Sequence, residues 1–294
     1  MEVCYVPTLS AHSADCRRLF DLWRCYGRNT VHVTLDFSYC DFLRPQAVAF
    51  LGGLVRLIEH RGGSVSFLWG TLKPAIWACL AQNGFMQAFG GPQGPWQGTA
   101  VPYLEHRAAD AAAFDAYARG RWLGRGWVDV SPELVSEVVG NVGEIYVNAF
   151  EHADSAVGVH GCGQLFPKLG ILSLTLVDFG VGIPANVRRF HGAATGEVWR
   201  DGRRCLEWAF ARGNSTRSGP VSGGLGLDTL REFVVASQGS LEIHSHESRA
   251  ILRKERTEYA VFPDYFEGTM ITIRLRSSPG YYDLGSSRAT FHPF

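Results

Sequence analysis

The stretch 132–150 constrains the fold most, because one helical period there carries two opposed stripes. Val135, Val138, Val139, Val142, Ile145, Tyr146 and Ala149 recur at i, i+3, i+4 and i+7 spacing. A helix with that pattern has one face that has to be buried. Ser131, followed by Pro132 and Glu133, has the chemistry of an N-cap and first turn. At about 100° per residue, Glu137, Asn141, Glu144, Asn148 and Glu151 gather in a narrow sector on the other side, with His152 at its margin. A solvated helix face would look the same in isolation. The segments that follow give the polar stripe a different meaning.

Composition narrows the class. With 294 residues, 46% hydrophobic and 19% charged, the chain has room for one large or two ordinary domains with buried cores. Lys plus Arg balance Asp plus Glu at 28 each, so bulk charge points to neither nucleic acid nor an anionic membrane. The seven cysteines include no Cys-x-x-Cys pair, which argues against a zinc site or a disulfide framework and for reduced thiols. The opening Met-Glu-Val lacks the progression of a secretory signal, and no apolar run approaches bilayer length. The expectation is a soluble, cytoplasmic protein.

The first part of the chain alternates strand and helix patterns. Val31, Val33, Leu35 and Phe37 line one face of a strand over 31–37, and Pro45 opens a helix that runs to about His60. Gly62-Gly63 closes that helix, 64–69 reads as a second strand, and 73–82 as a second helix ending at Asn83-Gly84. This order predicts an open α/β layer. The segment Leu35-Asp36-Phe37-Ser38, then Phe42, Pro45, helix, Gly-Gly, strand, helix and Asn83-Gly84-Phe85, resembles a STAS domain over roughly 25–92. Signalling members of that family open the first helix with a phosphorylatable serine. Here the matching residues are Leu43-Arg44-Pro45-Gln46, without a hydroxyl, so a structural or partner-docking role is expected. A glycine- and proline-rich loop over 90–98 marks a border, and 108–123 reads as a linking helix. The expected domains are therefore 1–107 and 108–294.

The second part holds the chemistry. The run 169–177 reads as a buried strand and ends in Asp178-Phe179-Gly180-Val181-Gly182. A carboxylate there, beside two glycines, lets a flat ligand approach the chain, and it accepts from an amino group. The embedded Asp-Phe-Gly is not that of a protein kinase, because no His-Arg-Asp loop precedes it. No Gly-Lys-Ser/Thr forms a Walker A loop. Further on, 213–224 is rich in glycine and leads into Leu225-Gly226-Leu227, the start of a helical pattern that runs to Ala236. A helix N-terminus behind such a loop suits phosphate, with Arg212 and Arg217 close by. Strands are expected at 240–244 and 268–276. His244 and His246 alternate at what reads as a surface strand end, with no third metal ligand in register.

Four boxes then stand in order: Glu144-x-x-x-Asn148, Asp178-x-Gly180-x-Gly182, Gly223-Gly224-Leu225-Gly226-Leu227 and Gly268-Thr269. Together they resemble the GHKL, or Bergerat-fold, ATP-binding domain of gyrase B, MutL, histidine kinases and anti-sigma serine kinases, over about 130–278. The resemblance implies an α/β sandwich, ATP as ligand and Mg²⁺ as cofactor. It gives Asn148 the metal, and Asp178 the adenine amino group with Thr269 close to the same edge. Gly180 and Gly182 would admit the base, Gly223, Gly224, Leu225 and Gly226 would hold the phosphates, and 190–222 would be the lid. His152 lies near the variable end of the first box. Glu144 separates the activities, since histidine kinases typically carry Asn there, and a carboxylate activates water or a serine hydroxyl. No phospho-acceptor histidine helix precedes the domain. Three readings stay open: a conformational switch with slow ATP hydrolysis, a serine protein kinase of the anti-sigma type, and an ATP sensor that never turns over. A regulatory protein partner or a homodimer is expected.

Overall fold

The computed structural model describes residues 2–293 apart from 11, 12, 97, 198, 212, 213, 215–224, 254, 255, 278, 279 and 285–288. For 13–15, 225–229, 280, 281, 283, 284 and 289–293 only the backbone is described.

Strands β1 (Glu2–Tyr5), β2 (His32–Asp36) and β3 (Ser64–Phe67) form a parallel sheet in that order. Helices α1 (Ser13–Tyr26) and α2 (Pro45–His60) make the crossovers, and α3 (Pro74–Gln82) and α4 (Phe85–Ala88) follow. Pro45 starts α2 where its missing N–H costs nothing. The sequence 45–58 offers α2 no polar face, and all of it but Arg56 is buried. A helix apolar all round needs cover on both sides.

That second cover is a larger sheet. After β4 (Ala100–His106), α5 (Ala111–Tyr117), β5 (Asp129–Val130) and α6 (Pro132–Glu151) come β6 (Val159–Phe166) and β7 (Ile171–Asp178). Then follow α7 (Gly182–Thr195), α8 (Gly202–Ala209), α9 (Leu225–Ala236), β8 (Ser240–Ser245), β9 (Ser248–Arg253), β10 (Arg256–Val261) and β11 (Thr269–Arg276). Among the described residues, β10-β9-β8-β11-β7-β6-β4 makes a seven-stranded sheet in which every pairing is antiparallel. A small third sheet joins β5 to β12 (Gly280–Leu284) and β13 (Ala289–Pro293). The expected mixed α/β class holds. The edge strand β4 lies within 100–106, so the chain enters the large sheet ahead of residue 108.

Side-chain alternation along β7 divides the interior. Leu172, Leu174 and Leu176 face α6 and α9, packing with Val138, Val142 and Tyr146 and with Leu230, Phe233 and Val234. Val177 points the other way and, with Cys162 and Met270, joins the core around α2. Each face of the large sheet therefore has its own apolar core.

Helix α6 starts and ends close to the sequence expectation. Ser131 Oγ accepts the Leu134 N–H at 3.2 Å, with Pro132 in the first turn. Glu137, Glu144, Asn148 and Glu151 are exposed as expected. Asn141 is the exception: it is buried, and its Nδ2 has no hydrogen-bond partner among the described residues. The linking helix is broken, passing from α5 through a π turn at 118–122 into a 3-10 turn at Leu123–Arg125. No described helix is long and apolar enough to cross a membrane.

The buried cap of α6 is testable. Ser131→Ala should lower the unfolding free energy by about 1 kcal/mol in urea, and Ser131→Asp should keep most of it. No loss on Ser131→Ala would mean that the Leu134 N–H is not stabilised by this cap.

Candidate functional site

A cavity of about 600 Å³ opens between α6 and the sheet face that carries the α6/α9 core. Glu144, Asn148, Asp178, Gly182 and Thr269 all line it, so five of the sequence-expected residues converge on one space. Gly180 does not line it. Leu225 and Gly226 open α9, where only the backbone is described, and Gly223, Gly224, Arg212 and Arg217 lie outside the described residues.

The floor is set by cross-strand register. Asp178 on β7 and Ser245 on β8 both pair directly with Thr269 on β11. The Asp178 carboxyl accepts the Gly180 N–H at 2.9 Å and the backbone N–H of Thr269, while burial leaves the residue 4% exposed. Burial outweighs those hydrogen bonds and pushes its pKa up to about 7. Ser245 Oγ donates to the Gly268 carbonyl at 2.8 Å and accepts the Ile183 N–H at 2.9 Å. Its one proton is thereby committed, so the 3.1 Å contact to Thr269 Oγ1 has Thr269 as donor. The Thr269 hydroxyl keeps its lone pairs for the cavity. Two acceptors thus sit side by side, a pair that selects a ligand presenting N–H donors.

On the side where a Cβ would stand, both glycines of the Asp178 segment meet protein atoms. A Cβ at Gly180 would lie 1.9 Å from the Ala153 carbonyl oxygen, which also accepts the Val181 N–H at 2.6 Å. Gly182 has φ +72°, and a Cβ there would lie 2.7 Å from the His246 ring and 2.9 Å from the Gly268 oxygen. His246 in turn holds the Val181 carbonyl through Nε2 at 2.6 Å. His246 is 6% exposed and His244 1%, so the pair expected at a surface strand end is buried. His244 Nε2 meets Glu242 at 3.0 Å, and Arg274 meets the same carboxylate at 2.9 Å. Burial alone would raise Glu242, but these partners hold it down at about 2. Arg274 and Glu242 thus form an ion pair, with His244 bonded to the same carboxylate.

Along the opposite wall, Glu144 and Asn148 stand one turn apart on the exposed edge of α6. The backbone N–H of His152 donates to the Asn148 carbonyl at 2.9 Å, and Asn186 of α7 donates to the His152 carbonyl at 2.8 Å. Burial, then Arg189 nearby, lowers the His152 pKa. Trp208, Phe210 and Asn186 add walls that local sequence patterns do not reveal. Trp208 falls inside the expected lid 190–222, of which 190–195 belongs to α7 and 202–209 is the helix α8. Ser245 escapes sequence reading because its role depends on which strand lies beside β11.

The buried carboxyl gives a pH signature. Its folded pKa lies above its ordinary 3.8, so the unliganded protein binds this proton more tightly than the unfolded chain. The contribution to stability is full below about pH 4, is lost as pH rises to about 7, and is flat above. Histidines with lowered pKa, His160 at about 4 and His246 among them, slope the other way. The difference between wild type and Asp178→Asn isolates the group. Between pH 4.5 and 8 the wild type should lose stability relative to Asp178→Asn, read by urea unfolding. Parallel profiles would mean that Asp178 is ionised throughout.

No protein-family model matches the chain, and no curated protein matches it.

Proposed function

We propose that the chain binds ATP with Mg²⁺ in this cavity, as a GHKL-type domain over 108–294 behind a STAS-like region, and works as an ATP-dependent switch with slow hydrolysis. The observation that carries the reading is the acceptor pair Asp178 and Thr269 on the floor of a cavity whose α6 wall presents Glu144 and Asn148. The adenine amino group donates to Asp178, and that contact favours the ionised carboxylate over the protonated form. A base presenting a carbonyl at that position is accepted only by the protonated carboxyl, so the preference for the amino group grows as pH rises above about 7. The cavity is large enough for a nucleotide.

The donor set fits the ion. Asn148 presents an amide oxygen, and among the described residues no three His, Cys, Asp or Glu side chains converge on a metal. Asn148 would hold a magnesium ion through that oxygen, and the ion would supply charge neutralisation at the phosphates. Glu144, one turn before Asn148, accepts the proton of the attacking water.

Two measurements test this reading. Asn148→Ala should weaken ATP binding in magnesium far more than in EDTA, and equal losses would make Asn148 structural. Glu144→Ala should bind Mg-ATP about as well as wild type while releasing phosphate at least ~100-fold more slowly. Normal turnover in that variant would move the base elsewhere. Label transferred from ATP to a partner protein would identify a serine kinase instead, and binding without any turnover a sensor. Wild type that binds no ATP would end the reading.

A further inference from the structure

Asp178 ends β7 and Phe179 follows it directly, and the two side chains lie on opposite faces of the sheet. Asp178 lines the cavity, whereas Phe179 enters the core that surrounds α2. There its ring meets Phe50 of α2 edge-on at 5.0 Å and Phe266 at 5.9 Å. Phe266 precedes Gly268-Thr269, the other half of the cavity floor, and stacks on Phe20 of α1 at 4.7 Å. Both floor segments therefore reach through the sheet into the N-terminal region by one aromatic ring each.

The slot that receives Phe179 is cut by a glycine. A Cβ at Gly53, three residues after Phe50 on the same face of α2, would lie 2.3 Å from Phe179 Cε2. It would also lie 2.8 Å from His160 Cδ2. Neither ring has room to retreat. His160 is fully buried and held at both nitrogens, by Tyr103 Oη at 2.9 Å and by the Val157 carbonyl at 3.1 Å. Phe179 is confined between Phe50 and Phe266. Helix α2 thus fixes the depth of the ring, and the ring fixes the backbone whose preceding side chain is the Asp178 acceptor.

We propose that Phe179 is a positioning residue for the nucleotide site, seated in the Gly53 slot of α2, so that the N-terminal region sets the affinity of the cavity. The proposal rests on the nucleotide-binding reading for its ligand, while its mechanical part stands without one. A shift of α2 along the sheet moves the Phe179 ring, turns the Asp178 segment and separates its carboxylate from Thr269.

The experiment uses the full chain and compares Gly53→Ala, Phe179→Leu, the double variant and Ile58→Ala. Ile58 is buried in the same core five residues further along α2, so its truncation controls for lost stability without changing the slot. Amide exchange over 178–183 is read without nucleotide, and ATP and GTP affinities are read at a temperature where every variant is folded. Gly53→Ala should speed exchange over 178–183 and weaken ATP by roughly tenfold, with a smaller preference for ATP over GTP. Phe179→Leu loosens the segment in the same sense and reads the effect should Gly53→Ala not fold. The double variant, with a shorter side chain in the narrowed slot, should recover much of both. Ile58→Ala should leave exchange at 178–183 and the ATP/GTP ratio unchanged. Equal behaviour of Gly53→Ala and Ile58→Ala, or unchanged exchange and affinity in Gly53→Ala and Phe179→Leu, would overturn the proposal. If wild type binds neither nucleotide, the ligand reading fails, and the exchange comparison alone decides whether α2 positions the segment.

Discussion

Helix α2 has no polar face over 45–58, and the architecture follows from that constraint. One layer cannot satisfy it. The parallel sheet β1-β2-β3 covers one side, and the back of the seven-stranded sheet covers the other. The large sheet in turn has an apolar face on each side, one for α2 and one for α6 and α9. Remove α2 and both its neighbours expose apolar surface to water, a cost of about 25 cal/mol per Å². The N-terminal region and the cavity-bearing region therefore share one core rather than meeting at a polar seam.

A second tension lies in the cavity floor. A carboxyl withdrawn from water resists ionisation, and two backbone N–H groups offset that only in part, leaving Asp178 near 7. The arrangement is poor for the stability of the empty protein and suited to a partner that brings donors. Around it the bonding is dense: Ser245 alone ties the start of α7, the Gly268 carbonyl and Thr269. These bonds hold the floor together in the empty protein.

Much of this was legible in the sequence, for reasons that differ by element. The boundaries of α2 and α9 follow from Pro45 and from unbroken helical spacing. Helix α6 was readable because its two stripes are long. Periodicity places Asn141 on the polar stripe because it gives only an angle, and burial also depends on what packs there. The short strands β9 and β10 and the edge strand β4 carried no clear alternation. Among the cavity-lining residues a motif points to Asp178 and Thr269, whereas Trp208, and Ser245 and His246 behind the floor, are brought in by tertiary neighbourhood. Packing within the protein is by itself enough to require glycine at both positions of the Asp178 segment, and Gly182 also borders the cavity. Gly180 and Gly182 make room for Ala153 and His246, which lie far off in the chain.

The alignment of Asp178, Thr269 and Ser245 has a consequence for folding. The three come from β7, β11 and β8, with the longest gap of sequence between β7 and β8, yet they occupy one rung of the ladder. Side chains alternate along each strand, so a slip of one residue between β7 and β11 would send one acceptor to the opposite surface. No subset of the chain short of these paired strands assembles the rung. Occupancy by a ligand of the proposed kind would therefore report that the centre of the sheet has found its alignment.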